Sequence, residues 1–158
     1  MSDSLAYFIS FRTYGTWLSG DPRGAVDRRH NVHGTPKLPP DPLQELRHAK
    51  RLKHPPLFLS PSQRTCVESA IREVAIHRRW RILALSARTN HIHTVVHAPS
   101  HAPERVLNDF KARATRRLRE ERLIDPTREI WAVHGSTPQL YEPHDLLDAI
   151  DYVLNRQD

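Results

Sequence analysis

The chain has 158 residues, of which 38% are hydrophobic and 27% are charged, and this balance predicts one globular catalytic domain over residues 1–158. Its single cysteine, Cys66, excludes an internal disulfide and fits a reducing compartment. No apolar run approaches the roughly 18 residues of a membrane span, and the first residues lack the basic start of a signal peptide. A cytoplasmic protein without membrane partners is therefore expected.

The net charge of the chain is +6 and its pI is about 10.0. Such a surface attracts phosphates, because bound cationic side chains release the counterions of a polyanion. Charge alone favours a nucleic acid as partner over a merely solubilising surface.

The first half of the chain contains two predicted elements and a long segment between them. Aromatic and β-branched residues over Leu5–Leu18 predict a first strand. Glycine and proline then recur through residues 19–59, which predicts a long, mostly irregular insertion. Ser60, Pro61 and Gln63 have the pattern of a capping box and predict the start of a helix.

The second half adds five predicted elements. Trp80–Ala87 and His91–Ala98 predict two strands of a hairpin, since the connection is short. Apolar spacing predicts a helix over Pro103–Arg122, a broken fourth strand between Ile130 and Tyr141, and a last helix over Pro143–Asn155. The order β, α, β, β, α, β, α predicts an α+β protein, a ferredoxin-like βαββαβ antiparallel sheet with an additional C-terminal helix.

The triplet His91-Ile92-His93 lies within the third predicted strand. Side chains two apart on a strand point to the same face, so both imidazoles can converge while Ile92 is buried. Two convergent imidazoles begin a metal site. Taken alone, the triplet is more typical of strand histidines that only satisfy hydrogen bonds than of a metal site, and His97 is a further candidate on the same face.

The last predicted helix places a tyrosine away from its apolar stripe. That stripe consists of Leu146, Leu147, Ile150, Val153 and Leu154. Tyr152 lies on another side, either as an ordinary surface aromatic or as a nucleophile. Asn155 and Asp148 share its helical side and could offer an oxygen to a metal ion. Gln157 reaches that side only if the end of the helix frays or bends.

Basic residues form three groups that we predict to contact a DNA backbone, although part of the helical group is a solvated face. Arg12 ends the first strand. The others lie in the long early segment, as Arg23, Arg28 and Arg29, and on the second helix, as Lys111, Arg113, Arg116 and Arg117.

With these residues the chain resembles the single-tyrosine HUH transposases, an IS200-like family, and specifically the branch of REP-associated tyrosine transposases. HUH denotes His, a hydrophobic residue and His, here His91-Ile92-His93. Further segments that look like that family are Phe11–Leu18, Gly20–Gly24, Phe110–Arg116, Trp131 with His134–Thr137, and Ala149–Val153.

The resemblance implies a metal-dependent single-stranded DNA endonuclease and strand transferase. Its partner would be single-stranded DNA with a short REP-like hairpin, its cofactor Mg²⁺ or Mn²⁺ held by His91 and His93, and its nucleophile Tyr152, which forms a 5′-phosphotyrosine. Such a protein is nucleoid-associated when DNA-bound and acts as a monomer or a homodimer.

One position departs from the family pattern, which places an amide residue four positions after the tyrosine as a third metal ligand. Here that position is Arg156, and the neighbouring amides are Asn155 and Gln157. Both stay candidates for the third ligand.

Two other functions fit parts of the sequence. A domesticated relative would bind hairpin DNA without cutting it, but the intact histidine pair and tyrosine argue for an enzyme. A two-histidine phosphoesterase needs two H-x-[S/T] motifs, which His33-Gly34-Thr35 and His134-Gly135-Ser136 match. Glycine at the centre of both and the lack of a convincing strand make this match accidental.

Overall fold

The structure of the protein is a computed structural model that describes residues 3–16, Leu43 and residues 53–156, without the side chain of Arg156. Most of the predicted insertion over residues 19–59 lies outside these ranges. Its described end, residues 53–59, has neither helix nor strand. Among the described helices, none combines the length and the apolar character that crossing a bilayer requires.

The described chain forms a four-stranded sheet with two helices on one face and a third helix on the other. The elements are β1 (Ala6–Arg12), α1 (Pro61–Arg78), β2 (Arg81–Ala87), β3 (His91–His97), α2 (Pro103–Glu120), β4 (Gln139–Leu140), α3 (Pro143–Asp151) and a π-helical turn (Tyr152–Arg156). The strand order is β2-β3-β1-β4 and each neighbouring pair is antiparallel. The predicted ferredoxin-like α+β class with a C-terminal helix is confirmed.

The start of α1 follows directly from its sequence. The Ser60 hydroxyl accepts a hydrogen bond from the Gln63 backbone at 3.2 Å, and the Gln63 side chain accepts one from the Ser60 backbone at 2.8 Å. Pro61 takes the first helical position, where no backbone donor is needed. The helix ends where Arg79 adopts the left-handed conformation with φ of 63°.

Strand β1 divides the core between the two faces of the sheet. Tyr7, Ile9 and Phe11 lie on the face covered by α1 and α2 and belong to the larger core. Phe8 lies on the opposite face and belongs to a smaller core that the C-terminal helix covers. Its other buried members are Ala6, Ala84, Val95, Leu140, Ala149 and Val153.

Two predicted strands are shorter than the sequence suggests. The first ends at Arg12 because the chain turns at Gly15, whose φ is 74°. The fourth has only two residues, and the preceding segment is joined to β1 by single bridges from Trp131 to Thr13 and from Ser136 to Ser10. A strand over Ile130–Val133 was therefore the wrong prediction.

The apolar stripe of the last helix is narrower than predicted. Leu147 and Leu154 are exposed by 66% and 52%. The buried side is centred on Ala149 and Val153 with Leu146 and Ile150 beside them. At about 100° per residue, Leu147 and Leu154 fall on the flank away from Tyr152. Tyr152 therefore lies at the edge of the buried side that faces the sheet.

Replacing Val153 with alanine should loosen the packing of the C-terminal helix on the sheet. Val153 is fully buried, so loss of its methyl groups should lower the free energy of unfolding by about 2 kcal/mol. Urea denaturation measures this as a lower midpoint at unchanged slope. Leu154→Ala, in the same turn but exposed, should change stability by less than about 0.5 kcal/mol. Equal effects of the two substitutions would contradict this packing.

Candidate active site

The two histidines of the H-x-H triplet lie side by side on β3, the second strand from one edge of the sheet. Antiparallel pairing sets His93 opposite Ser10 of β1 and Ser86 of β2, and sets His91 opposite Arg12 of β1. The centroids of the two imidazole rings are 4.8 Å apart. Directly paired residues share a face, so this end of the sheet gathers both rings with polar and cationic neighbours.

Each imidazole has a polar partner at its Nδ1 atom. The Nδ1 atom of His91 is 2.8 Å from Oδ1 of Asn90, the preceding residue. The Nδ1 atom of His93 is 2.6 Å from the hydroxyl of Ser10. Because His93 is only 6% exposed, this contact satisfies a polar atom that would otherwise be costly to bury. Both rings are held in one orientation by groups that the histidine motif does not contain.

Tyr152 completes a row of rings on the same face. Its ring centroid is 5.5 Å from that of His93, with the planes almost perpendicular at 87°. The ring of Phe8 lies 5.5 Å from His93 and 5.9 Å from Tyr152. Tyr152 remains 36% exposed, so its side chain is open to a ligand in solvent while Phe8 packs beside the ring.

The tyrosine is the first residue of the π-helical turn Tyr152–Arg156. A π turn closes hydrogen bonds one residue wider than an α-helix and is frequent at functional sites. Within this turn, Asn155 is exposed and its Nδ2 atom donates to the Asp151 carboxylate at 2.9 Å. This contact turns the Asn155 amide along the helix toward the residue before Tyr152.

The structure brings His91, His93 and Tyr152 together but not a complete set of metal ligands. In the ranges that it describes, no group of three His, Cys, Asp or Glu side chains could hold a metal ion. Asp148 is exposed on α3, and Gln157 lies outside the described residues. The identity of a third ligand stays a prediction, open among Asn155, Gln157 and Asp148.

His97, the further candidate of the sequence, lies at the other end of β3. It is four residues beyond His93, about 13 Å along a strand. Its Nδ1 atom is 2.9 Å from the carbonyl oxygen of Leu5. His97 is therefore remote from the rings of His91, His93 and Tyr152.

The predicted DNA-contacting residues are distributed unevenly around this site. Arg12 is half-buried and pairs with His91 across β1 and β3, so it lies at the site itself. Arg23, Arg28 and Arg29 lie outside the described residues. The roles of all these residues in DNA binding stay predictions.

The four residues of α2 that were predicted to contact DNA each contact a protein group. Arg113 binds Glu73 of α1 at 3.0 Å, and Arg117 binds Glu73 and also Glu121, the latter at 2.8 Å. Arg116 pairs with Glu120 at 2.7 Å on the exposed side. Arg113 and Arg117 thus join α2 to α1, whereas Arg116 remains at the surface.

Lys111 is bound to the backbone of the segment that follows α2. Its Nζ atom donates to the carbonyl oxygens of Ala132 and His134, at 3.0 Å and 2.5 Å. Burial lowers the pKa of Lys111 from 10.5 to about 8, because desolvation disfavours the ammonium.

Three residues of the candidate site were not predicted from the sequence as site residues: Phe8, Ser10 and Asn90. The sequence contains one usable signal, the alternation of Phe8, Ser10 and Arg12 against Tyr7, Ile9 and Phe11. It predicts a shared face but not that this face meets β3. Asn90 adjoins the motif, and its contact with His91 depends on the bend before β3.

Taken together, the fold and the site define an α+β protein with a histidine pair on an inner strand and a tyrosine on the C-terminal helix. A family model described as "Transposase IS200 like" matches residues 56–135, half of the chain. The chain belongs to the family of IS200-like transposases. The matched residues include His91 and His93 but neither β1 nor Tyr152. No curated protein matches the chain in sequence.

Solved structures share the fold. The REP-associated tyrosine transposase, solved bound to a REP hairpin, aligns with a TM-score of 0.55 and 13% identity over 96% of this chain. A protein from Deinococcus radiodurans R1 described as a transposase aligns with a TM-score of 0.54 and 14% identity over 99% of this chain and 94% of its own. The chain covers 66% of the former structure. At these identities the similarity shows the fold alone.

The lowered pKa of Lys111 predicts a pH-dependent stability. Between about pH 8 and 10.5 the unfolded chain keeps a proton on Lys111 that the native protein has lost. Since the unfolded state then binds more protons, this lysine adds stability as the pH rises through that window. Urea denaturation at a series of pH values should show wild type gaining stability relative to Lys111→Gln. If the difference in unfolding free energy between wild type and Lys111→Gln stays constant across this pH range, burial does not lower the pKa of Lys111.

Proposed function

We propose that the protein is a metal-dependent endonuclease and strand transferase for single-stranded DNA that acts beside DNA hairpins through a 5′-phosphotyrosine. The observation that carries the proposal is the placement of the Tyr152 ring 5.5 Å from His93, which is itself paired with His91. A tyrosine beside two imidazoles suits nucleophilic attack at a phosphate that a cation polarises.

The donor atoms of the site fit a divalent cation. His91 and His93 would hold it through the ring nitrogens opposite their Nδ1 contacts, with water and DNA oxygens in the other positions, as Mg²⁺ and Mn²⁺ prefer. Such an ion supplies Lewis-acid polarisation of the scissile phosphate when bound. Asn155, Gln157 or Asp148 would supply a third protein ligand, which leaves the remaining positions to water and DNA.

In the proposed reaction the Tyr152 oxygen attacks the scissile phosphorus. The tyrosine hydroxyl loses its proton as a bond forms from its oxygen to the 5′-phosphate. The bond from phosphorus to the 3′-oxygen breaks, and the leaving strand takes up one proton as a free 3′-hydroxyl, so no net proton is gained or lost. The phosphodiester energy is retained in the tyrosine ester, so a second 3′-hydroxyl can reverse the step without a nucleotide cofactor. Phe8 holds the Tyr152 ring in place from the sheet side.

Single-stranded DNA with a hairpin is the substrate that the comparisons and the charge support. The related REP-associated transposase is bound to a REP hairpin, and this chain carries a net charge of +6. Arg12, opposite His91, is the nearest to the rings among those predicted phosphate contacts that the structure describes. Contacts to phosphate position a strand without reading its sequence.

The phosphoesterase alternative gains no support from the described half of its motif. His134 lies in a loop with φ of 68° and is exposed, rather than on a strand that presents it to a cleft.

Replacing Tyr152 with phenylalanine should abolish covalent attachment to a hairpin oligonucleotide, because the attacking oxygen is removed while the ring contacts with Phe8 and His93 stay. The measurement is a denaturing gel of protein with labelled single-stranded hairpin DNA, beside a native binding assay in which affinity should change less than about 3-fold. Tyr141→Phe is the matched control, since Tyr141 is also exposed but contacts Gln139. A covalent adduct from Tyr152→Phe would show that Tyr152 is not the nucleophile. If the wild-type protein binds the hairpin without forming any adduct, the result would instead favour a hairpin-binding protein that does not cut DNA.

Metal removal should stop adduct formation while the protein stays folded. We expect EDTA to suppress the adduct and added Mn²⁺ or Mg²⁺ to restore it, and His91→Ala to lower the cleavage rate by about 10²-fold or more as polarisation is lost. His97→Ala, remote on the same strand, should leave the rate unchanged. Full activity in EDTA would refute the metal requirement.

A further inference from the structure

We propose that Ser10 and Asn90 are positioning residues that hold His93 and His91 in the tautomer protonated at Nδ1, so that both Nε2 atoms present a lone pair to a cation. The importance of this arrangement rests on the proposed metal site. The tautomers themselves are a property of the metal-free protein and can be measured without it.

Asn90 determines the tautomer of His91. Its Oδ1 atom lies 2.8 Å from Nδ1 of His91, and an amide oxygen can only accept a hydrogen bond. The Nδ1 atom must therefore carry the hydrogen. A neutral imidazole has one N–H, so the lone pair of His91 is on Nε2.

For His93 we assign Ser10 the acceptor role, one of the two that a hydroxyl can take. The contact of 2.6 Å places the Ser10 oxygen at Nδ1 of His93, which leaves Nε2 as the ring nitrogen that can meet a metal ion. That nitrogen carries a lone pair only if Ser10 accepts the hydrogen bond from Nδ1.

The backbone of Ser10 is fixed from the far side of β1. Its N–H donates to the Ser136 carbonyl at 2.9 Å and its carbonyl accepts from the Ser136 N–H at 2.8 Å. A Cβ atom at Gly135 would lie 2.6 Å from the Ser10 carbonyl oxygen, so the close approach of this segment requires glycine. The hydroxyl that faces His93 is thus held by a rigid support.

The energetic consequence is a site prepared for metal binding. A ring in the Nε2–H tautomer must exchange its proton before it can ligate, and this cost weakens affinity. Removal of a partner that orients a ligating histidine typically lowers metal affinity by about 10- to 100-fold.

The test measures tautomers directly by long-range ¹H–¹⁵N correlation spectra of the metal-free protein, with His91→Gln and His93→Gln to assign the signals. Wild type should show the Nδ1–H pattern for both rings. Ser10→Ala should move His93, and Asn90→Ala should move His91, toward the Nε2–H pattern. Ser10→Thr and Asn90→Asp, which keep an acceptor oxygen, should retain the wild-type pattern.

Ser86→Ala is the matched control, because Ser86 lies opposite His93 on β2 just as Ser10 lies opposite His93 on β1. Titration with Mn²⁺ alone, followed by electron paramagnetic resonance, should give about 10- to 100-fold weaker binding for Ser10→Ala and Asn90→Ala and unchanged binding for Ser86→Ala.

Three results separate the possible failures. An Nε2–H pattern in wild type at either ring would overturn the proposal, as would unchanged Mn²⁺ affinity in both alanine variants. Nδ1–H rings in a wild-type protein that does not bind Mn²⁺ would support the tautomer assignment and count against the proposed metal site.

Discussion

The register between β1 and β3 is the constraint on which the candidate site depends. It places Ser10 opposite His93 and Arg12 opposite His91, and by alternation it places Ile9, Phe11 and Ile92 in the core on the other face. A slip by one residue would exchange the two faces. The buried apolar residues therefore determine where the polar residues lie, and packing on the opposite face of the sheet fixes the geometry between the histidines.

The position of Tyr152 depends on a second, smaller set of contacts. Ala149 and Val153 bury the C-terminal helix against Phe8 and Val95, and the ring of Phe8 lies beside both His93 and Tyr152. One phenylalanine thus belongs to the smaller core and to the candidate site. The π turn begins at Tyr152, so the backbone departs from α-helical geometry at the residue that would carry the chemistry.

Sequence patterns predict the local elements of this molecule well and the contacts between them poorly. The capping box at Ser60, the hairpin before His91 and the shared face of His91 and His93 follow from residues within a few positions of one another. The contact of Ser10 with His93 joins residues 83 positions apart, and no local pattern indicates it. The fourth strand was overpredicted because Ile130 is buried but Val133 is 82% exposed, and single bridges rather than a continuous ladder join this segment to β1.

The positive charge of the chain is used in more than one way, and this changes what it implies about DNA. Arg113 and Arg117 are partly neutralised by Glu73 in joining α2 to α1. Lys111 holds Ala132 and His134, which directly precede the segment that pairs with Ser10. A basic helix can therefore stabilise the site from the opposite face of the sheet without contacting a phosphate. Arg12 differs from these residues because the strand register, rather than net charge, places it opposite His91 in the candidate site.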